Sequence, residues 1–395
     1  MGDLQIAAVT GFLILAAAVL SVELGISVAI IEILMGVLGG SLLGPWGIHT
    51  TPWIDFLAGF GGIVLTFLAG AEVDTEQLRG DWRANLLIGG VSFLGPFLAC
   101  TAVAYYVVGW SLEASQMTGV ILSDTALAVI YAILVETGLG RTRVGKSLMA
   151  SCFFTCLGTV TVLSLLFVQP SWWLFPFVGV SAGLIIIMPR LHRWFFARYG
   201  NRVIEPEIKG AFFVLFVMMF LGDMAQSQAV LPAFLLGLAV SKVFAKHRTE
   251  QQRFRVVAFA FLTPFFFLKA GMNVSLGALW ANLGVMALFL TTKLATKLIV
   301  VFPFARHYVA SDAWFTTLLM STGLTFGAIS SFYGLRAGII DETQFSILIS
   351  VVIMSAVVPT FIAQRFFTPL IPRETGAGLA VSASGIMQPD KRKEE

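Results

Sequence analysis

Thirteen apolar stretches, separated by short polar or basic loops, leave this chain few ways to fold. They lie near 4–21, 27–44, 56–74, 84–108, 115–137, 145–168, 172–190, 208–225, 228–245, 255–271, 280–304, 312–334 and 343–367. A helix of about 20 residues crosses the ~30 Å hydrocarbon core of a bilayer, and most of these stretches have that length. Only 12% of the residues are charged and 57% are hydrophobic, against about 25% charged in soluble domains. In hydrocarbon each backbone N–H and C=O needs an internal partner. The expected fold class is therefore an all-α polytopic membrane protein of about 13 transmembrane helices, with no room for a sizeable soluble domain.

The basic residues order these spans. Loops after odd-numbered stretches carry Arg79, Arg83, Arg141, Arg143, Lys146, Arg190, Arg193, Arg198, Arg202, Lys209, Lys242, Lys246, Arg248, Arg253, Arg255 and Arg306. Loops after even-numbered stretches carry Arg336 alone. By the positive-inside rule the N-terminus lies outside and the C-terminus in the cytoplasm. The first stretch has no basic leader, so it reads as a retained span and not a signal peptide. Residues 373–395 are polar and read as a short disordered cytoplasmic tail.

A charge inside an apolar span is costly and points to function. Those that remain are Glu32, Glu72, Asp124, Asp223, Lys269, Lys293 and Lys297. Glu72, Asp223 and Lys269 sit near span ends, where a carboxylate can be wet and a lysine can snorkel or pair. Asp124 and Lys297 lie deeper, and Lys293 is one turn before Lys297 on the same helix face. Two lysines on one intramembrane face do not suit lipid contact.

Two stretches are poor helices. The fifth holds Ser123-Asp124-Thr125, whose side chains compete for backbone hydrogen bonds. The twelfth reads MSTGLTFGAISSFYG and is dense in Gly, Ser and Thr. Small-residue packing between helices would account for such composition. Their placement seven stretches apart instead suggests inverted repeats, 4–6 against 11–13, with two crossed unwound helices. Asp124 would then offset half-helix N-termini, and a lysine would offset the facing carbonyl ends.

Cys100, Cys152 and Cys156 all fall in apolar stretches, which is no disulfide framework. Cys152 and Cys156 are spaced for one helix face, as a soft-metal pair could be, yet no His lies nearby and small buried thiols are common. The four histidines, His49, His192, His247 and His307, lie in or near loops. No nucleophile–base arrangement is visible, so an enzyme is not expected. Nothing points to a nucleotide-binding domain, and no nucleic-acid partner is expected.

Taken in order, these motifs resemble the monovalent cation:proton antiporter family, the sodium/proton exchanger superfamily, over about residues 5–370. FLAGAEVDTEQLRGDW is similar to the family's third-helix signature, and SDTALAVIYAILVETG to its unwound helix. TKLATKLIVVFPFAR followed by STGLTFG resembles the second-half lysine helix and its unwound partner. VLPAFLLGLAVS and PFFFLKAGM also fit.

The resemblance implies a core that moves as an elevator against a dimerisation domain, in a homodimer in the plasma membrane. Residues 84–168 and 280–368 would be the core halves, 1–75 and 208–271 the dimerisation-side helices, and 172–190 a linker helix. The implied partners are a proton, a monovalent cation (Na⁺ or K⁺) and the lipid bilayer, with no cofactor. Asp124, Thr125, Thr155 and Cys156 would form the ion site. Lys297, Lys293, Glu72, Ser123, Thr322 and Thr325 would support it or compensate charge.

The family's carrier carboxylate is the second residue of an Asp-Asp, Asn-Asp or Thr-Asp pair, and that pair falls here on Thr155-Cys156. The chain thus has a thiol where the pattern has an acid. A thiol is a weaker acid and a soft ligand, whereas Na⁺ and K⁺ want oxygen. Cys156 is either a disabling substitution in an ordinary antiporter or the mark of a member with shifted chemistry. Two other readings are an organic-anion/Na⁺ symporter of related crossed-helix fold and a non-transporting sensor or partner subunit.

Overall fold

The computed structural model describes residues 2–24, 27–43, 51–73, 82–137, 139, 142–167, 171–199, 205–225, 227, 229–246, 248–367 and 369. Arg79, Arg141, Arg202, His49, His247 and the 373–395 stretch lie outside the described residues. Every regular element among those described is helical. The first three are α1 (Asp3–Leu24), α2 (Val28–Leu43) and α3 (Pro52–Ala71). The next, α4 (Trp82–Ala102), continues as a π-helical stretch, Val103–Val108, which ends on Gly109 in the left-handed region at φ 79°. Next come α5 (Leu112–Ser123) and α6 (Leu127–Glu136), two pieces of the fifth apolar stretch parted at 124–126.

The middle of the chain holds α7 (Arg143–Leu166), α8 (Leu174–Tyr199), α9 (Pro206–Met224) and α10 (Val230–Lys246). It continues with α11 (Arg248–Val257), which runs through a π-helical turn into α12 (Thr263–Met272). A short α13 (Leu276–Ala281) precedes α14 (Leu283–Tyr308). The twelfth stretch is also parted, into α15 (Ala313–Met320) and α16 (Thr325–Arg336), and α17 (Glu342–Phe366) follows. That last helix opens on a capping box: Asp341 Oδ1 accepts from Gln344 N at 2.8 Å and Gln344 Oε1 from Asp341 N at 3.0 Å.

Nine helical stretches among the described residues are long and apolar enough to cross a membrane, and Val28–Ser41 and Val230–Phe244 are shorter apolar helices. The chain is a multi-pass membrane protein. Its outer surface is greasy: Phe12, Leu15, Tyr106, Trp172, Phe175 and Ile299 are all exposed. The helix α14 shows how the pattern works. Its buried residues Phe289, Lys293, Lys297, Val301 and Ala305 recur every fourth position and form one stripe, while Ile299 faces outward. Both lysines are therefore turned into the protein, away from lipid.

The helices pack in two groups. In one, α2 and α3 lie against α12, and α3 also lies against α10; in the other, α4, α5, α7, α14, α15, α16 and α17 surround the two helix breaks. The first group is cemented by close backbone approach. A Cβ on Gly237 of α10 would collide with the Phe67 carbonyl of α3, and one on Gly70 of α3 with the Phe234 carbonyl of α10. Lipid tails are as apolar as leucine, so such van der Waals fit drives association between membrane helices. Ring contacts bridge the two groups: Phe234 of α10 meets Phe153 of α7 at 5.9 Å and Phe326 of α16 at 5.7 Å.

Gly237→Val should force α3 and α10 apart, costing about 2 kcal/mol or more as overpacking does. Gly284→Ala, where a Cβ meets open space, should be neutral. Melting temperature and monodispersity in detergent check the pair; equal behaviour of the two variants would contradict the close-packing account.

Candidate ion site at two facing helix breaks

A helix end leaves backbone groups without partners and carries about half an elementary charge, positive at the N-terminus and negative at the C-terminus. Two parted helices bring four such ends into the protein interior. At the first break the chain leaves helical geometry at Asp124 (φ −55°, ψ 154°). At the second, residues 321–324 separate α15 from α16. The breaks satisfy one another. Ala126 N donates to the Thr322 carbonyl at 3.1 Å, and Thr125 Oγ1 donates to the Met320 carbonyl at 3.0 Å.

The charges sit where the helix ends call for them. Asp124, fully buried, accepts at Oδ2 from Leu324 N (3.2 Å) and Gly327 N (2.8 Å). It thereby caps the positive end of α16, whose own N-cap residue, Leu324, has no side chain able to do so. The Lys297 ammonium lies at the opposite polarity. Its Nζ is 2.8 Å from the Met320 carbonyl, 3.1 Å from the Asp124 carbonyl, 2.8 Å from Thr125 Oγ1 and 3.0 Å from Ser92 Oγ. Met320 ends α15 and Asp124 closes α5, so one cation serves the negative ends of both half-helices.

Lys293 stands one turn away. Its Nζ donates to Ser355 Oγ of α17 at 2.9 Å, and that hydroxyl donates to the Val352 carbonyl at 2.8 Å. A Cβ on Gly323 would fall on the Lys293 ammonium, the movable end of that side chain, and lie 3.2 Å from the Asp124 carbonyl, so glycine here leaves room for the lysine.

The helix α7 supplies the third wall. Cys156 Sγ lies 3.5 Å and Cys152 Sγ 3.6 Å from the Thr125 carbonyl, and the two sulfurs are 4.0 Å apart. Position 156 therefore faces the first break. Thr155 points elsewhere: its hydroxyl donates to the Gly89 carbonyl of α4 at 3.0 Å. One oxygen is left over, since Asp124 Oδ1 is buried with no hydrogen-bond partner.

The remaining expected residues divide. Ser123 and Thr322 bond locally, to the carbonyls of Val120 and Leu319, although the Thr322 carbonyl joins the two breaks. Thr325 is buried in the first turn of α16. Glu72 pairs with Arg255 of α11 at 3.2 Å and contributes nothing to the hydrogen bonds of the breaks. Lys269 pairs with Asp55 and lies over the Phe332 ring, 4.7 Å from its centre. Sequence reasoning missed Ser92, Ser355 and Cys152 as members of this cluster. A single serine in an apolar stretch carries no distinguishing signal, and Cys152 offered only its spacing.

Comparison with known proteins gives the chain a family and a fold relative. A model of the transmembrane sodium/hydrogen exchanger family matches residues 9–368. A curated relative named as a probable Na⁺/H⁺ antiporter 3, from Methanocaldococcus jannaschii, is 24% identical over 84% of this chain and 89% of its own. The Na⁺/H⁺-K⁺ antiporter GerN of Bacillus cereus is 23% identical over 86% of this chain and 89% of its own. Among solved structures, the sodium proton antiporter MjNhaP1 of Methanocaldococcus jannaschii shares the fold, with a TM-score of 0.65, 14% identity and coverage of 92% of this chain and 97% of that one.

Lys297→Met should remove the donor from two buried carbonyls and two hydroxyls and cost about 3 kcal/mol or more, as breaking a buried charge contact does. Lys293→Met, which loses one bond to a serine that keeps its Val352 contact, should cost less. Thermal unfolding in detergent ranks the two; the reverse order would contradict the role assigned to Lys297.

Proposed function

Because the chain belongs to the sodium/hydrogen exchanger family, we propose that it is a secondary antiporter exchanging H⁺ for a monovalent cation, Na⁺ or K⁺. The observation that carries this reading is the pair of breaks with Asp124 on one helix N-terminus and Lys297 on two C-termini. Broken helices at membrane depth expose carbonyls and half-helix dipoles that can hold a small cation. Fixed counter-charges let such a crossing stay in a low-dielectric interior. The same relatives disfavour the symporter and sensor readings, being named as antiporters.

In this reading the chain makes thirteen crossings, N-terminus outside and C-terminus in the cytoplasm of a plasma-membrane homodimer. The inverted repeats are 84–168 and 280–368. Together they form a core that moves as an elevator against the dimerisation-side helices, 1–75 and 208–271, with 172–190 as the link. Apolar ring contacts such as Phe234 with Phe326 suit that motion, because they impose no directional hydrogen bond on the sliding surface. The cation sits between α7 and the first break, near Asp124, Thr125 and position 156. Thr155 acts by tying α7 to α4, and Lys297 competes with the cation for the carbonyls of the breaks. Lys293, Ser123, Thr322 and Thr325 shape the breaks, and Glu72 holds the end of α3.

Position 156 is where the chain departs from a working carrier. A carboxylate there would take a proton and a hard cation in turn; the thiol supplies neither the acidity nor the oxygen. Proteoliposomes with an imposed pH gradient test this. On adding Na⁺, Li⁺ or K⁺, Cys156→Asp should collapse the gradient at least tenfold faster than the chain as it stands. Equal rates would move the carrier to Asp124, whose Oδ1 is unpartnered, and silence from both would sink the antiporter reading.

A further inference from the structure

The two thiols of α7 face a single carbonyl, and that convergence has no use in hard-cation exchange. Cys152 Sγ, Cys156 Sγ and the Thr125 carbonyl oxygen form a triangle with sides of 4.0, 3.5 and 3.6 Å. A point equidistant from the three donors lies about 2.1 Å from each, near the ~2.3 Å metal–sulfur and ~2.0–2.2 Å metal–oxygen bonds that zinc, an ion of similar size, makes in proteins. Both cysteines are wholly buried and free. The carbonyl already lies off any helix, because the break at 124–126 released it from the α5 ladder.

We propose that Cys152, Cys156 and the Thr125 carbonyl form a binding site for a soft monovalent cation, Cu⁺, with Ag⁺ as its redox-stable analogue. Thiolate sulfur selects Cu⁺ over the hard alkali cations. Among the described residues no group of three or more His, Cys, Asp or Glu side chains converges, so a four-ligand zinc set is not offered. Binding breaks two S–H bonds and forms two S–Cu bonds. Two protons leave to water, and copper remains Cu⁺ throughout. The site passes from neutral to one negative charge. The Lys297 ammonium, 2.8 Å from Thr125 Oγ1, is the counter-charge beside it. The break here faces a thiol pair, and soft sulfur selects a different class of ion from oxygen. This inference needs no transport and stands apart from the antiporter reading.

The test uses the full chain, purified in detergent without oxygen and titrated with Cu⁺ held by a chromophoric chelator, and separately with Ag⁺. One ion per chain is expected, with a thiolate-to-copper absorption band. Cys152→Ser and Cys156→Ser should each weaken binding by at least 100-fold, and Cys100→Ser, on α4, should leave it unchanged. X-ray absorption on the unmodified chain keeps the proposal open to refutation if a variant fails to fold: two sulfurs and one lighter atom should surround copper. A first shell of nitrogen and oxygen only, binding that survives both serine variants, binding lost with Cys100, or Zn²⁺ displacing Cu⁺ at equal concentration would each overturn it. Cys156→Asp should lose Cu⁺ while gaining exchange of Na⁺ or K⁺. Copper retained in that variant refutes this site, whereas exchange failing to appear refutes the antiporter reading alone.

Discussion

The Lys297 ammonium is the contact on which the centre of this protein depends. Two interrupted helices place carbonyl ends in the buried interior, and each unpaired polar group there costs free energy comparable to a lost hydrogen bond or more. One lysine, reaching from α14, meets the Met320 and Asp124 carbonyls and the Thr125 and Ser92 hydroxyls together. Asp124 does the reciprocal service for the N-terminus of α16. The arrangement is self-consistent in sign: an anion where the helix dipole is positive, a cation where it is negative.

The rest of the packing serves to hold that arrangement. The serine at 92 comes from α4, the lysine from α14 and the thiols from α7, so three long helices converge on 124–126. Thr155 fastens α7 to α4 through the Gly89 carbonyl, which sets how far Cys156 stands from the break. Around this centre the outer helices behave as membrane helices should, meeting through glycines such as Gly70 and Gly237 and presenting leucine and phenylalanine outward.

Position 156 shows how a single atom type decides what a site can do. The backbone carbonyl of Thr125, the helix ends and the lysine are indifferent to whether the facing group is oxygen or sulfur. Proton affinity and metal preference are not, because a thiol is a weaker acid than a carboxyl and a softer donor. A second thiol, Cys152, is directed at the same carbonyl.

The sequence by itself determined the all-helical membrane class, because sparse charge in long apolar stretches admits few other structures in hydrocarbon. It also located both breaks, since Ser123-Asp124-Thr125 and STGLTFG are poor helix formers, and it singled out Asp124 and Lys297 as charges with no other excuse. The spacing of Lys293 and Lys297 was enough to place them on one face, now seen to be buried. Only the tertiary structure decided which lysine neutralises the helix ends. Both share a face, and one turn of helix separates a residue that meets four acceptors from one that meets a serine. It also decided that Thr155 and Glu72 look away from the break, and that Ser92, Ser355 and Cys152 look toward its surroundings. Those contacts join residues up to 205 positions apart, and no local pattern encodes which of many small polar side chains will meet across that distance.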